Sequence, residues 1–385
     1  MKFFHLSDLH IGKQLHHYNM REDQEKILSE IVDYAKDLHP DAVIIAGDIY
    51  DKSVPSAEAV TVFDEFLTSL SAIRPAIPVL IISGNHDSAE RLLYASKILK
   101  NHQIYMAGQV PGKPDEFIQK VTLEDAFGEV DFYLLPFLKP SYVRNVFEEE
   151  APQSYSDAVG KLLWRENIDY QGRRNVLVSH QFYTGNGEVP VTCDSEMISV
   201  GGIDNVDISA VKEFDYVALG HIHRGQQVGY EHIRYCGTPL KYSVSESGHE
   251  KSLAVVTLGA KGEKVKIEIF PFHPLRDVRA VKGELADLLL EAREENRDDY
   301  ISVTLTDEID PYKPKDQLER VYSHILEIRV DNLRTRKKLS EYEKEIVFLD
   351  PFSAFQEFYE EIQDRKMSEE ELEIMEEIFE KAKGE

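Results

Sequence analysis

Short apolar runs that stop abruptly at His, Asp or Asn recur along the N-terminal half of this 385-residue chain. FFHL leads to Ser-Asp8-Leu-His10, AVIIA to Gly47-Asp48, PVLII to Gly84-Asn85-His86-Asp87, NVLVS to His180, and YVALG to His221-Ile-His223. Runs this short, rich in branched aliphatic residues, read as fully buried strands. Between the early runs, Ile27, Ile31, Tyr34 and Leu38 fall at helical steps and predict a helix over 21–38, while Pro55-Ser56 opens a second over 56–70. Strand–helix alternation predicts an α/β layered core. The later runs LAVVTL and KIEIF have few helical patterns between them, which predicts a mixed sheet or a second sheet.

One polar cluster after one strand is ordinary turn chemistry, because Gly with Asn or Asp suffices. The recurrence after successive strands is different. The carboxyl edge of an open α/β sheet is where ligands bind, so the topology can gather distant residues into one site. Imidazole, carboxylate and amide oxygen together suit Mn²⁺, Fe²⁺ or Zn²⁺ better than Ca²⁺. Period-two spacing in Asp8-x-His10 and His221-x-His223 turns each pair to one side of an extended segment. The candidate ligands are Asp8, His10, Asp48, Asn85, His180, His221 and His223. They are too many for one ion that also admits substrate, which predicts two ions about 3.5–4 Å apart sharing a carboxylate. His16, His17, His39, His102, His232, His249 and His273 have no comparable setting, and His5 lies inside the first strand at a packing position.

Beyond Leu275 the pattern changes to strand (VRAVKG), helix (ELADLLLEARE), strand (YISVTLTD), helix (QLERVYSHIL) and strand (LEIRVDN), a small α+β module. LRTRKKLSEYEKE reads as a linker. In the tail, Phe352, Phe355, Tyr359 and Ile362 share one helical face. A second helix follows, opened by a Ser368/Glu371 capping box and striped by Leu372, Met375 and Phe379. Two such short amphipathic helices cannot bury their apolar faces fully against each other, and suit docking either on their own protein or on a partner.

The net charge is −26, but residues 340–385 hold 16 acidic and 5 basic residues, so −11 of it sits in the tail. Salt screens that distant charge, so the total does not forbid one face from meeting DNA. Cys193 and Cys236 are the only cysteines, which argues against a disulfide framework or a structural zinc site. No run approaches a membrane span and the N-terminus has no signal-peptide layout, so a cytoplasmic location is expected.

The set Asp8-x-His10, Gly47-Asp48, Gly84-Asn85-His86-Asp87, His180 and Gly220-His221-x-His223, in this order, resembles the calcineurin-like metallophosphoesterase superfamily. HLSDLHIGK, AGDIYDKSVPS, LGHIHRGQ and YCGTPLKYS narrow the resemblance to its double-strand-break repair nucleases, over nearly the whole chain. The resemblance implies a two-sheet sandwich flanked by helices over 1–273, a capping domain over 274–333, a linker over 334–349, and a helical hairpin over 350–385 that grips the coiled-coil base of a partner ATPase. It implies one Mn²⁺ on Asp8, His10, Asp48 and His223 and another on Asp48, Asn85, His180 and His221, with Asp48 bridging. The pair would activate water for in-line attack on phosphorus. His86 would stabilise the transition state or protonate the leaving oxygen, with Asp87 either orienting it or capping the turn.

Archaeal and eukaryotic members carry His three residues after the bridging Asp, where this chain has Asp51, as bacterial members do. Lys13, Arg91, Arg173, Arg174, Arg224 and the run from Arg334 to Lys338 are candidate DNA contacts, as are His16, His17 and Tyr18. The resemblance further implies exonuclease and endonuclease action on DNA ends and hairpins, in repair, recombination and replication, by a homodimer. The residues between Ser88 and Lys100 are a candidate dimer surface. A phosphatase or nucleotidase on the same centre, or a DNA-end tethering subunit, are the alternative readings.

Overall fold

In the computed structural model, residues 1–147, 150–185, 189–196, 204–309, 311–336, 351–363 and 365–383 are described. Two six-stranded sheets lie face to face. The first runs, edge to edge, through Lys266–Pro271, Ser252–Thr257, Lys2–Leu6, Ala42–Ala46, Val79–Ile82 and Ile104–Ala107. Its last four strands are parallel, and Ser252–Thr257 pairs antiparallel with Lys2–Leu6. The second runs through Gln226–Val228, Tyr230–Tyr235, Tyr216–Gly220, Arg174–His180, Gly128–Leu135 and Gln119–Asp125, with its four central strands parallel.

The alternation of a strand explains the layers. Ile44 and Ala46 face the inter-sheet core with Phe3, Leu80, Phe132, Val176, Val178 and Tyr216. Val43 and Ile45, between them in sequence, face the opposite way, onto helices Arg21–Leu38 and Ala57–Ser71. Helix Tyr155–Arg165 covers the outer face of the second sheet through Ala158, Val159, Leu162 and Leu163. Ser56 caps the second helix, accepting from Ala59 N at 3.2 Å. His5, inside the first strand, is fully buried and bonds Tyr216 Oη at 2.9 Å, so it is a core group.

Strands Val278–Gly283, Tyr300–Leu305 and His324–Val330 form a parallel sheet with its own core of Leu285, Leu288, Ile301, Val303, Leu318 and Tyr322. Here one sequence expectation is corrected. The helix expected over QLERVYSHIL stops at Leu318, and the third strand begins at His324. Ile325 is buried with the module's core and Leu326 with the main core, an alternation that belongs to a strand. The module sits on helix Arg21–Leu38. Arg276 Nη1 reaches Asp23 Oδ2 at 2.9 Å, and Tyr300 Oη donates to the same oxygen at 2.9 Å. Asp23 is fully buried by this contact.

Helices Pro351–Gln363 and Glu369–Lys383 form the tail. The capping box is present: Ser368 N donates to Glu371 Oε2 at 2.8 Å and Glu371 N to Ser368 Oγ at 3.3 Å. Most of the expected linker lies outside the described residues. Among the described residues no helix is long and apolar enough to cross a membrane.

Candidate metal centre

The carboxyl ends of five central strands, three from the first sheet and two from the second, meet at one edge of the sandwich. The loops there are stitched together: Asp8 N donates to Gly47 O at 2.9 Å, His10 N to Asp48 O at 3.0 Å, and Ile11 N to Ile49 O at 2.9 Å. Two glycines permit the approach. A Cβ on Gly84 would stand 2.1 Å from Asp48 Oδ1, and one on Gly220 would stand 2.0 Å from Ala46 O.

All seven candidate ligands come together. Asp8, His10 and His223 offer ligand atoms within 4.8 Å of one another, and so do Asp8, Asp48 and His180. Asn85 Oδ1 lies 3.0 Å from both His180 Nε2 and His221 Nδ1. Asp48 Oδ2 is 3.4 Å from His180 Nε2 and 3.8 Å from His10 Nε2, so one carboxylate oxygen serves both groups. Asp8, His10, Asp48 and His221 hold φ of 52°, 43°, 49° and 101°. Backbone in that region costs about 1–3 kcal/mol per residue for side chains other than Gly and marks sites where function fixes the geometry.

The donor chemistry fits cations. A carbonyl oxygen only accepts, so the 2.8 Å contact of His180 Nδ1 with Ala46 O puts the ring proton there. Nε2 then faces two oxygens, and an ion there would take the place of its proton. Ser195 Oγ donates to Glu246 Oε1 at 2.6 Å and accepts from His223 Nδ1 at 2.8 Å, so His223 Nε2 turns its lone pair to His10 Nε2, 3.2 Å away. Converging lone pairs on buried groups are what a divalent ion satisfies.

The same crowding displaces the protonation equilibria. Burial opposes charge on His180, but Asp48 outweighs it and raises the ring to about 9. Burial, helped by the neighbouring His180, lowers His221 to about 3. Burial works against the Asp48 carboxylate, yet His180, His10 and His86 hold it well below the usual carboxylate range.

His86 stands beside the ligands and is only half-buried. Its N–H donates to Asp48 Oδ1 at 2.9 Å, and its Nδ1 bonds to Asp51 O at 2.9 Å. Asp87 takes the other course considered for it. Its carboxylate accepts from Ile49 N, Tyr50 N and Gly84 N at 3.1, 3.0 and 2.9 Å, tying two loops together. Burial and Asp48 raise Asp87 to about 6 against those three bonds. A cleft of about 950 Å³ opens onto Asn85 and His221, past Phe137, Lys139 and Tyr142.

Several candidate DNA contacts are committed elsewhere. Arg173 pairs with Asp131 and Glu129, and Arg174 is buried against Asp125, at the end of their strand away from His180. Tyr18 turns to the small module, its ring 5.1 Å from His324. Lys13 pairs with Asp51 at 2.8 Å, and Arg336 pairs with Asp331. Arg91 and Arg224 are exposed, and Lys337 and Lys338 lie outside the described residues.

Sequence reading missed the outer partners. Glu246, fully buried, accepts from Ser195 and from Lys251 Nζ at 2.5 Å. Gln24 Nε2 donates to His10 O at 2.7 Å and Gln24 Oε1 accepts from Gly12 N at 3.0 Å, while Tyr242 Oη donates to Leu9 O. No local pattern marks these residues, and the Ser195–Glu246 and Tyr242–Leu9 contacts join positions 51 and 233 residues apart.

The calcineurin-like phosphoesterase profile matches residues 1–225, and the profile described as the type 5 capsule protein repressor C-terminal domain matches residues 271–363. The chain belongs to the calcineurin-like phosphoesterase family, whose members are metal-dependent hydrolases. Within it, the chain is 32% identical over 330 residues to the SbcD component of the SbcCD nuclease of Staphylococcus epidermidis, covering 85% of this chain and 84% of that one. It is 29% identical over 366 residues to the SbcD component of the SbcCD nuclease of Staphylococcus saprophyticus, covering 94% and 93%. A dimetal phosphatase from Danio rerio aligns with a TM-score of 0.42 and 15% identity, over 70% of this chain and 96% of that one.

Proposed function

We propose that this chain is the DNA-cleaving component of an SbcCD complex. It is a Mn²⁺-dependent double-strand exonuclease and single-strand or hairpin endonuclease, acting with the SbcC ATPase in repair, recombination and replication. The observation that carries this reading is the convergence of seven ligands on one sandwich edge in a chain similar to SbcD proteins over nearly its whole length.

One Mn²⁺ is assigned to Asp8, His10, Asp48 and His223, and a second to Asp48, Asn85, His180 and His221. When bound, the ions neutralise phosphate charge and lower the pKa of water at neutral pH. The chain's own residues do the rest. Asp48, between the two imidazole groups, offsets repulsion between two dications. His86 has its Nδ1 proton committed to the Asp51 carbonyl, so Nε2 is the nitrogen available to the substrate. From a half-buried position, as the imidazolium with Nε2 also protonated, it stabilises charge on the phosphoryl oxygens or gives its Nε2 proton to the leaving oxygen. Asp87 acts by holding the Asp48 and Asn85 loops together, not by touching substrate.

Residues 1–273 are assigned to the nuclease domain, 274–333 to DNA recognition, 334–349 to a linker and 350–385 to the SbcC coiled-coil base. Exposed Phe358, Ile362, Ile374 and Ile378 on the two tail helices support the last assignment. The working assembly is a homodimer joined to two SbcC chains, in the cytoplasm at the nucleoid.

The test is cleavage of a labelled hairpin DNA in Mn²⁺ by wild type and His86→Ala, each with and without SbcC and ATP. Cleavage by wild type, lost in the variant while both ions stay bound, is expected. A metal-loaded wild-type complex that leaves DNA intact would move the assignment to a small phosphoester or to DNA tethering.

A further inference from the structure

Asp51 lies between the two imidazoles that differ most in their tasks. Its carbonyl accepts from His86 Nδ1 at 2.9 Å, and its carboxylate Oδ1 is 3.8 Å from His10 Nδ1. The His10 and His86 rings meet edge to face with centroids 4.9 Å apart. His10 is 1% exposed, and its Nδ1 is buried with no hydrogen-bond partner among the described residues. Asp51 Oδ1 is buried in the same condition, because Lys13 Nζ, 2.8 Å away, meets it as an ion pair off the hydrogen-bonding line.

Building on the two-ion reading above, we infer that the Asp51 side chain is a positioning residue for His10, while its carbonyl positions His86. A ring that gives one nitrogen to a cation carries its proton on the other. His10 directs Nε2 toward His223 Nε2 and the Asp48 carboxylate, so Nδ1 bears the hydrogen. Metal-bound histidines hand that hydrogen to a carboxylate, carbonyl or water, which fixes the ring and makes the ligand more basic. Asp51 Oδ1 is such an acceptor, and a shift of about 1 Å brings the pair to a hydrogen-bond length of about 2.9 Å. One residue thereby sets the orientation of a ligand and of the imidazole that meets the substrate.

The experiment uses Mn²⁺ itself as the probe, with the full-length chain as wild type, Asp51→Leu, Asp51→Asn and Lys13→Met. Calorimetric titration gives affinity and stoichiometry, and electron paramagnetic resonance separates a coupled Mn²⁺ pair from isolated ions. Wild type binds two ions. Asp51→Leu is expected to lose about ten- to a hundredfold in affinity for one of them, with its spectrum moving from the coupled pair to isolated Mn²⁺. Asp51→Asn keeps an oxygen toward His10 and recovers most of the loss. Lys13→Met removes only a partly exposed ion pair and stays within about fivefold of wild type. Asp51→Ala, which adds no bulk, replaces the Leu variant if circular dichroism shows it unfolded. Two ions bound with wild-type affinity by the Leu or Ala variant would overturn the inference, and so would a Lys13→Met chain as weak as they are. A wild-type chain that binds fewer than two ions would instead overturn the two-ion reading.

Discussion

Aiming a lone pair at an ion requires holding the far side of the ring too, and His223 shows how that is arranged. Its Nδ1 bonds Ser195 Oγ, which leans on buried Glu246, which in turn meets Lys251. Ser195→Ala removes the acceptor while leaving the ligand in place, and should weaken Mn²⁺ binding about tenfold by titration, with the fold intact. Glu246 should also report in acid. Burial works against its charge, but the bonds to His223's network and to Lys251 hold the carboxyl well below its usual range. A depressed folded value means stability that is full above the unfolded carboxyl value of about 4.3 and is lost as pH falls below it. Thermal melts from pH 5 to 2 should therefore fall more steeply for wild type than for Glu246→Gln, and parallel slopes would refute this. The seven candidate ligands that the structure gathers were legible in the sequence because each follows or ends a strand. Ser195 and Glu246 were not, because Ser in Cys-Asp-Ser-Glu reads as loop and its partner lies 51 residues away.

At the scale of elements, the site is made by strand ends brought closer than side chains allow. Gly84→Ala would push against the Asp48 carboxylate from 2.1 Å, so on the two-ion proposal it should cost the chain at least one ion, read by metal analysis of the purified variant. The helix over 21–38 appears as its periodicity predicts, and the one expected over 56–70 runs from Ala57 to Ser71 behind its Ser56 cap. Buried strands and strongly amphipathic helices are legible because one chemical pattern decides them. The apolar residues from Gln317 to Leu326 suit both periods: Gln317 and Leu318 close a helix, and pairing with Tyr300–Leu305 makes His324–Leu326 a strand. The tail helices carry a prediction of their own. Removal of the residues after Asp350 should abolish binding to SbcC in a pull-down while both Mn²⁺ ions still bind.

Across the whole molecule, the strand runs alone point to layered sheets, the family resemblance adds a two-sheet sandwich, and the structure has two sheets face to face with the site on their shared edge. The seat of the small module was hidden, since Asp23 looks like any acidic residue in a first helical turn. Its ion pair with Arg276 is among the few charged contacts with a fully buried member between that module and the sandwich. Arg276→Ala strands the Asp23 carboxylate and should cost about 3–5 kcal/mol in denaturant unfolding, with Asp23→Asn added to it restoring part of the loss. The neighbour of Asp23 is Gln24, whose carboxamide holds the carbonyl of His10. Two consecutive residues on one turn, about 1.5 Å apart along the axis, thus carry two different bodies. The start of one helix is thus a shared hinge pin: the module and the loop under His10 are both fastened to it, one on either side of a single peptide bond.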